Sequence, residues 1–435
     1  MKISIFTPTN NTTWLNQAWE TVKDQKVDFE WIIGINGKVN RANIPLDPRI
    51  NVVNIDPWKG VGDAKKKLCQ LSKGEILLEL DHDDILAENA LEEIKNAFLN
   101  EEIGFVYSDC AEWLDATGEP FTYGAAYGWE SYPCEIRGRK LHATKSFFPS
   151  ARSICQILYA PNHVRAWRRS VYEGIGGHDS SLTVADDFDL IARSYLKTKF
   201  KYIEKPLYGY RRRADGENTW LKNSSQIQKL CGQGADLTIP AEAQPMMLRD
   251  KYLHKLVERE CELNELPKID LGGGIFGASG WKTVDISGNP DIFHDVFGSK
   301  KLPFDDNSVG AFRAFDFLEH GEDVDSFWLM DEIYRCLVPG GWFLSYTPHA
   351  MGIGATCDPS HKARWDERRF LYWCHKNLRP FLHSSYPLAT AKFQPVRLYK
   401  ENKKMGPAPF LYEVPYVVAD LCALKGQRQP GPKYI

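Results

Sequence analysis

The sequence predicts an α/β protein of two domains, each organised around a mostly parallel sheet. Three observations lead there. The chain has 435 residues, more than one ordinary core accommodates. Short apolar runs alternate with helical stretches over roughly the first 220 residues, and again from "LPKIDLGGG" onward. Between these regions the alternation weakens into Gln, Gly, Pro and Ala, followed by the helical "DKYLHKLVERECELN". The expected organisation is a domain over 1–222, a linker and connecting helix over 223–262, and a second domain over 263–435.

The elements follow in order. "KISIFTP" is an apolar strand closed by a Pro-Thr-Asn turn, and "NQAWETVKDQ" is the helix after it. "FEWIIGING" is a second buried strand ending in the turn signal Asn36-Gly37, and "INVVNID" is a third. The helical "DAKKKLCQLS" leads into "GEILLEL", a fourth strand. In such sheets ligands bind beyond the carboxyl ends of the strands. Lys65 to Lys67 read first as a solvated helix face, with phosphate binding as the second reading.

Composition narrows the function classes. A hydrophobic content of 43% and a charged content of 26% are those of a soluble globular protein. With a formal net charge of -3 there is no global basic field, which argues against nucleic acid as the partner. No apolar run approaches the ~20 residues of a membrane span, so no stable membrane insertion is expected. The ten cysteines show neither a CxxC pair nor metal-ligand spacing, as expected of reduced thiols in the cytoplasm. The thirteen tryptophans read mainly as packing residues.

The fourth strand runs straight into Asp81, His82, Asp83 and Asp84. Two carboxylates one residue apart at a strand end offer oxygen ligands to one point, which suits Mg2+ or Mn2+. Such an ion neutralises charge on a leaving diphosphate. By itself the pattern is equally that of a solvated acidic turn.

The surrounding segments decide between the two. "SIFTPTNN", "WKGVGDAKKKLCQLSKGEILLELDHDDIL", "FVYSDCAEWLDATGE", "VRAWRRSVYEGIGGHDSSLTVADDFDLIARSYLKT" and "PLYGYRRR" together resemble the family 2 glycosyltransferases, inverting enzymes of GT-A fold. The resemblance covers roughly residues 1–220. It implies that Pro8 and Thr9 line a nucleotide pocket, and that Asp81 and Asp83 hold a metal and the donor diphosphate. It also implies that Asp109 lies near the acceptor and that Asp187 is the base deprotonating the acceptor hydroxyl. Two positions depart from the family pattern. Asn36 stands where an acidic pair usually contacts the nucleobase, and Arg213 stands near the place of a metal-binding histidine. An arginine there can hold diphosphate directly. Asp186, beside Asp187, reads as a helix cap.

The second domain opens "PKIDLGGGIFGASGWKTVDIS": strand, glycine turn, strand, acid. Glycines let backbone approach a nucleotide-like ligand, and the following acid suits ribose hydroxyls. With "DVFGSKKLPFDDNSVGAFRAFDFLEH" and "LMDEIYRCLVPGGWFLSYTP", this part resembles class I S-adenosylmethionine-dependent methyltransferases of Rossmann-like fold. The resemblance implies that Asp270, Gly272 and Gly274 form the cofactor turn, that Asp285 binds the ribose and that Asp295 lies near the adenine. Phe276 replaces the family's third glycine, and the stretch up to Asp285 is short for a full helix. His320 and His361 are the candidate bases for methyl transfer.

The reading is therefore a bifunctional enzyme of surface-glycan assembly. It would take a nucleotide-sugar donor, a glycan or other hydroxyl acceptor, Mn2+ or Mg2+, and S-adenosylmethionine. It would act in the cytoplasm or at a membrane face. The alternatives are a glycosyltransferase with a non-catalytic second domain, and a transferase acting on nucleic-acid bases.

Overall fold

Strands buried on both faces read as unbroken apolar runs, and three such runs form the centre of the parallel part of the first sheet, with a more exposed strand at its edge. The computed structural model describes all residues except 56, 58, 158–159, 217, 219–221, 232–247, 406–411, 427–429 and 431–435. They fall into two units, Met1–Gln233 and Gly234–Ile435.

In the first unit β1 (Ile3–Thr9), β2 (Phe29–Ile35), β3 (Ile50–Asn54) and β4 (Ile76–Glu79) lie in the order β3-β2-β1-β4, all parallel. Their inward residues, among them Ile3, Ile5, Trp31, Ile33, Ile76 and Leu78, are fully buried. Beyond β4 the sheet changes character. A two-residue strand, β5 (Ile85–Leu86), follows the acidic loop, and β6 (Ile103–Leu114) carries a side hairpin. That hairpin consists of β8 (Glu130–Ile136) and β9 (Arg139–Lys145), with the short β7 (Pro120–Phe121) alongside β6. Strand β10 (Arg165–Arg168) runs antiparallel between β4 and β6, and β11 (Lys199–Arg212) lies parallel to β6. The sheet is thus mixed, with its parallel half as the sequence indicated. Strand order reverses between β1 and β4, which opens a crevice at their carboxyl ends.

The second unit begins with the helix Leu248–Leu263, the expected connecting helix, which packs into this unit. Glu258 accepts a hydrogen bond from Trp281 Nε1 at 3.0 Å, and Cys261 is buried beside Gly310. Seven strands follow: β12 (Lys268–Leu271), β13 (Lys282–Asp285), β14 (Ile292–Phe293), β15 (Val309–Phe315), β16 (Leu337–Pro348), β17 (Phe393–Met405) and β18 (Tyr412–Ala423). Their order is β14-β13-β12-β15-β16-β18-β17; the first five are parallel and β18 is antiparallel to both neighbours. The parallel part has Rossmann order, with its switch point between β12 and β15. Among the described residues no helix is long and apolar enough to cross a membrane.

No helix joins β12 to β13. The chain turns instead at Gly272, whose φ of +74° belongs to the left-handed region. A Cβ there would lie 2.4 Å from the Phe317 ring. Gly272→Ala is therefore expected to cost about 2 kcal/mol or more, from backbone strain and overpacking. Chemical denaturation of the full chain checks this, and an unchanged midpoint would contradict it.

Candidate functional site

The carboxyl ends of β1 and β4 open into a cavity of about 470 Å3. Pro8 and Thr9 reach it from β1, Asp81 and Asp83 from the loop after β4, and Asp187 from the first turn of the helix Asp186–Lys197. Arg213, just past β11, completes this side. Five of the residues singled out in the first domain's sequence thus meet Arg213 around one space.

Beneath them lies a network of buried charges. Glu79 ends β4 and is ion-paired with Lys65 from the helix Val61–Leu71; both are almost fully buried. Arg165 on β10 sits opposite Glu79 in the strand register and donates from Nη1 to Asp187 Oδ2 at 2.8 Å. Lys65 also lies 3.7 Å from Asp186 Oδ2. Burial alone would push the Lys65 ammonium down, but Glu79 and Asp186 more than offset it and hold it charged.

The carboxylates respond to this field differently. Asp81 is pushed up to about 7 by burial and by the nearby Glu79 and Asp83, with Lys65 opposing. Asp84 is also raised well above the ordinary carboxylate range, through burial and the charges of Asp83 and Asp81. It accepts hydrogen bonds from Tyr208 Oη and the Arg211 amide, both at 2.8 Å, and so ties β11 to the acidic loop. Burial also raises Asp187, yet Arg165 and then Lys65 bring it below the ordinary carboxylate range. Asp187 is accordingly ionised at neutral pH, with 30% of its side chain open to solvent. Glu79 Oε2 and Asp186 Oδ2 are buried and accept no hydrogen bond from a described residue. Asp81 and Asp83 both line the cavity, and two carboxylates one residue apart offer the oxygen donors that a hard divalent ion takes.

Three expectations shift. Asn36 donates its backbone N–H to the Thr9 carbonyl at 2.8 Å but stays outside the cavity lining. Asp109 is also outside: Tyr132 Oη donates to it at 2.6 Å, Tyr202 Oη at 2.5 Å and the Ser146 amide at 2.7 Å, which occupies it structurally. Asp186 does not cap its helix; Ala185, at φ +60°, holds the N-cap position.

In the second unit the expected residues gather near the carboxyl ends of β12 to β15. Gly274 (φ +43°) faces Asp285, whose Oδ2 would be 3.0 Å from an added Cβ. Asp285 Oδ1 accepts from the Ile286 and Ser287 amides at 2.6 and 3.0 Å. Asp270 is committed elsewhere: Arg313 Nη1 donates to it at 2.6 Å and the Ala278 amide at 3.0 Å. Asp295 caps the short helix Val296–Ser299 through the Gly298 amide, an occupation that competes with any ligand role. His320 and His361 meet edge to face, with ring centroids 4.9 Å apart.

Sequence reasoning missed Lys65, Glu79 and Arg165. Each carried a signal. Lys65 lies on the helix stripe of Val61 and Leu68, and Glu79 and Arg165 interrupt the apolar strands "ILLEL" and "VRAW".

Residues 4–156 match the model of Glycosyl transferase family 2, so a domain of that family occupies the N-terminal region. Chondroitin synthase of Escherichia coli is 25% identical over 236 residues, covering 52% of this chain and 31% of that protein. The crystal structure of S. aureus TarS aligns with a TM-score of 0.40 and 12% identity, covering 60% of this chain and 44% of that one. The structure of TarS 1–349 in complex with UDP-GlcNAc gives 0.40 and 14%, covering 60% and 73%. The chain thus spans about a third of the curated relative and under half of the longer TarS chain.

Two outcomes are expected. Lys65→Met leaves Glu79 as a buried, poorly compensated charge and should cost about 3 kcal/mol or more in urea unfolding; a loss below about 1 kcal/mol would contradict the network. Burial, aided by nearby cations, holds His163 and His178 down at about 3. Below about pH 6.5 the unfolded chain therefore binds protons that the folded chain refuses, so these groups withdraw stability as pH falls. The slope is about 1.4 kcal/mol per pH unit per histidine at most, and His178→Asn should flatten it in unfolding measured from pH 7 to 5.

Proposed function

We propose that the first unit transfers a sugar, with inversion, from a nucleotide-sugar donor to an acceptor hydroxyl. The observation that carries this is the meeting of Asp81, Asp83, Arg213 and the ionised Asp187 around one cavity at the strand ends. The family match over residues 4–156 supports it.

Pro8 and Thr9 supply the wall for the nucleotide. Asp81 and Asp83 would hold a divalent ion, which when bound neutralises the leaving diphosphate. Arg213 Nε, 3.9 Å from Asp83 Oδ2, adds a guanidinium fork that fits phosphate oxygens. Asp187 accepts the proton of the acceptor hydroxyl as the new carbon–oxygen bond forms. The bond from the sugar carbon to the diphosphate oxygen breaks, and its electron pair leaves with the diphosphate. Direct displacement on the opposite face gives inversion. Because Arg165 lowers its basicity, Asp187 works as the attacking oxygen becomes acidic rather than before. The likeness to chondroitin synthase supports a growing glycan as the acceptor.

For the second unit we favour binding of S-adenosylmethionine and methyl transfer to a hydroxyl. The Rossmann order of β12 to β16 supports this, as does the pairing of Gly274 with Asp285 at the switch-point end. Ile275, Phe276, Ile286 and Phe293 are 73%, 85%, 58% and 76% exposed around those strand ends, which suits an adenine ring. Asp285 Oδ2 would accept from a ribose hydroxyl, and the bound cofactor supplies the methyl group.

Asp187→Asn should lower kcat for sugar transfer by roughly 10²–10⁴-fold while donor KM changes little, read by nucleotide release across a donor panel. Activity within a few-fold of the parent would remove Asp187 as the base. Asp285→Ala should abolish the melting shift that S-adenosylmethionine produces; a shift of equal size in parent and variant would sink the cofactor assignment.

A further inference from the structure

Just past β15, a single turn (Leu318–His320) presents Glu319 and His320, and the segment after Gly354–Cys357 brings His361 to them. One ligand atom from each of the three lies within 4.8 Å of the others. We infer that Glu319, His320 and His361 form a binding site for a divalent transition-metal ion, separate from the Asp81–Asp83 pair.

The arrangement around each side chain is that of a prepared ligand. His361 Nδ1 is 2.8 Å from the Gly354 carbonyl, which can only accept, so Nδ1 carries the hydrogen and Nε2 keeps its lone pair. That Nε2 lies 3.9 Å from Glu319 Oε1 and 3.9 Å from Asp358 Oδ2. Both gaps are too long for a hydrogen bond and both can be bridged by one shared ion. Glu319 Oε2 accepts from Thr347 Oγ1 at 2.6 Å, which fixes the carboxylate. Metal-ligating imidazoles and carboxylates typically have their second atom held in this way.

A second observation is independent of the clustering. Glu319 is 1% exposed, and its Oε1 has no hydrogen-bond partner among the described residues. A buried carboxylate oxygen left without a partner is costly, and this one is turned toward an imidazole nitrogen. The geometry is also locked by backbone. The Glu319 carbonyl accepts from the Lys362 and Ala363 amides at 2.7 and 3.0 Å, which anchors the segment that carries His361. Ser360 Oγ, 2.6 Å from Asp358 Oδ1, lies 3.1 Å from His320 Nδ1 and steadies that ring.

Two imidazoles and one carboxylate select a borderline ion such as Zn2+, Fe2+ or Co2+ over Mg2+ or Ca2+. Three protein ligands leave coordination positions open for an oxygen ligand. The site lies beyond the carboxyl ends of β15 and β16, the edge at which a Rossmann sheet receives its ligands. An acceptor hydroxyl or carboxylate is the substrate chemistry those positions fit. His320 and His361 are then ligands rather than free bases.

The test uses the full chain carrying Asp83→Ala, which removes the acidic-loop site. After chelator treatment, Co2+ is titrated and followed by visible d–d absorption and bound-metal analysis. The expected result is one Co2+ per chain with visible absorption, displaced by Zn2+. Adding His361→Ala should weaken binding by roughly a hundredfold or more. Glu319→Gln, which retains the shape and the Thr347 hydrogen bond, should do the same while leaving the melting midpoint of the metal-free chain near the parent value. Saturable binding unchanged by both variants, or no binding in the folded Asp83→Ala chain, overturns the site.

Discussion

An ammonium group buried at the end of a strand holds the first unit's chemistry together. Glu79, Asp81, Asp83, Asp186 and Asp187 converge where β4 stops, and such a group of carboxylates would repel itself apart in a desolvated crevice. Lys65 enters from the helix Val61–Leu71 and Arg165 from β10, so the cations come from two elements flanking the acids. Each neutralises part of the charge and leaves a remainder. Lys65 settles Glu79, while Arg165 settles Asp187 without covering it. Asp81 and Asp83 remain at the cavity with Arg213 Nε 3.9 Å from Asp83 Oδ2, farther than either of those pairings.

This explains why the antiparallel β10 matters more than its four residues suggest. It places Arg165 directly opposite Glu79, a register that a wholly parallel continuation of the sheet would not produce. It also explains the arrangement around Asp84. That carboxyl serves the fold, by fastening β11 to the acidic loop, so that Arg213 arrives at the cavity. The three aspartates of this loop thus part ways: Asp81 and Asp83 line the cavity, and Asp84 holds the scaffold.

The parallel half of the first sheet was legible because "KISIFTP", "FEWIIGING", "INVVNID" and "GEILLEL" are apolar runs closed by turn signals. The position of Asp81, Asp83 and Asp187 at the cavity was legible because acids at strand and helix ends stand out in sequence. Strand β10 was not, since four residues carry no usable period. Lys65 turns inward while Lys66 and Lys67 sit beside it in the sequence, and a triple lysine looks the same whether or not one member is buried. Asp109 was read as facing the acceptor, although two tyrosine hydroxyls and an amide had to be placed in space before its structural role was visible. His320 and His361 were read as separate bases, and only the fold shows them sharing one neighbour, Glu319.

On the proposed function, Asp81 and Asp83 would hold a metal-bridged nucleotide. The most direct measurement is calorimetric titration of the chain with UDP, GDP and other nucleoside diphosphates, each with and without Mn2+, repeated for Asp83→Ala. The account predicts that one nucleotide binds only when Mn2+ is present and that Asp83→Ala removes this binding. Nucleotide binding indifferent to both the ion and Asp83, or none at all with Mn2+ present, would contradict it.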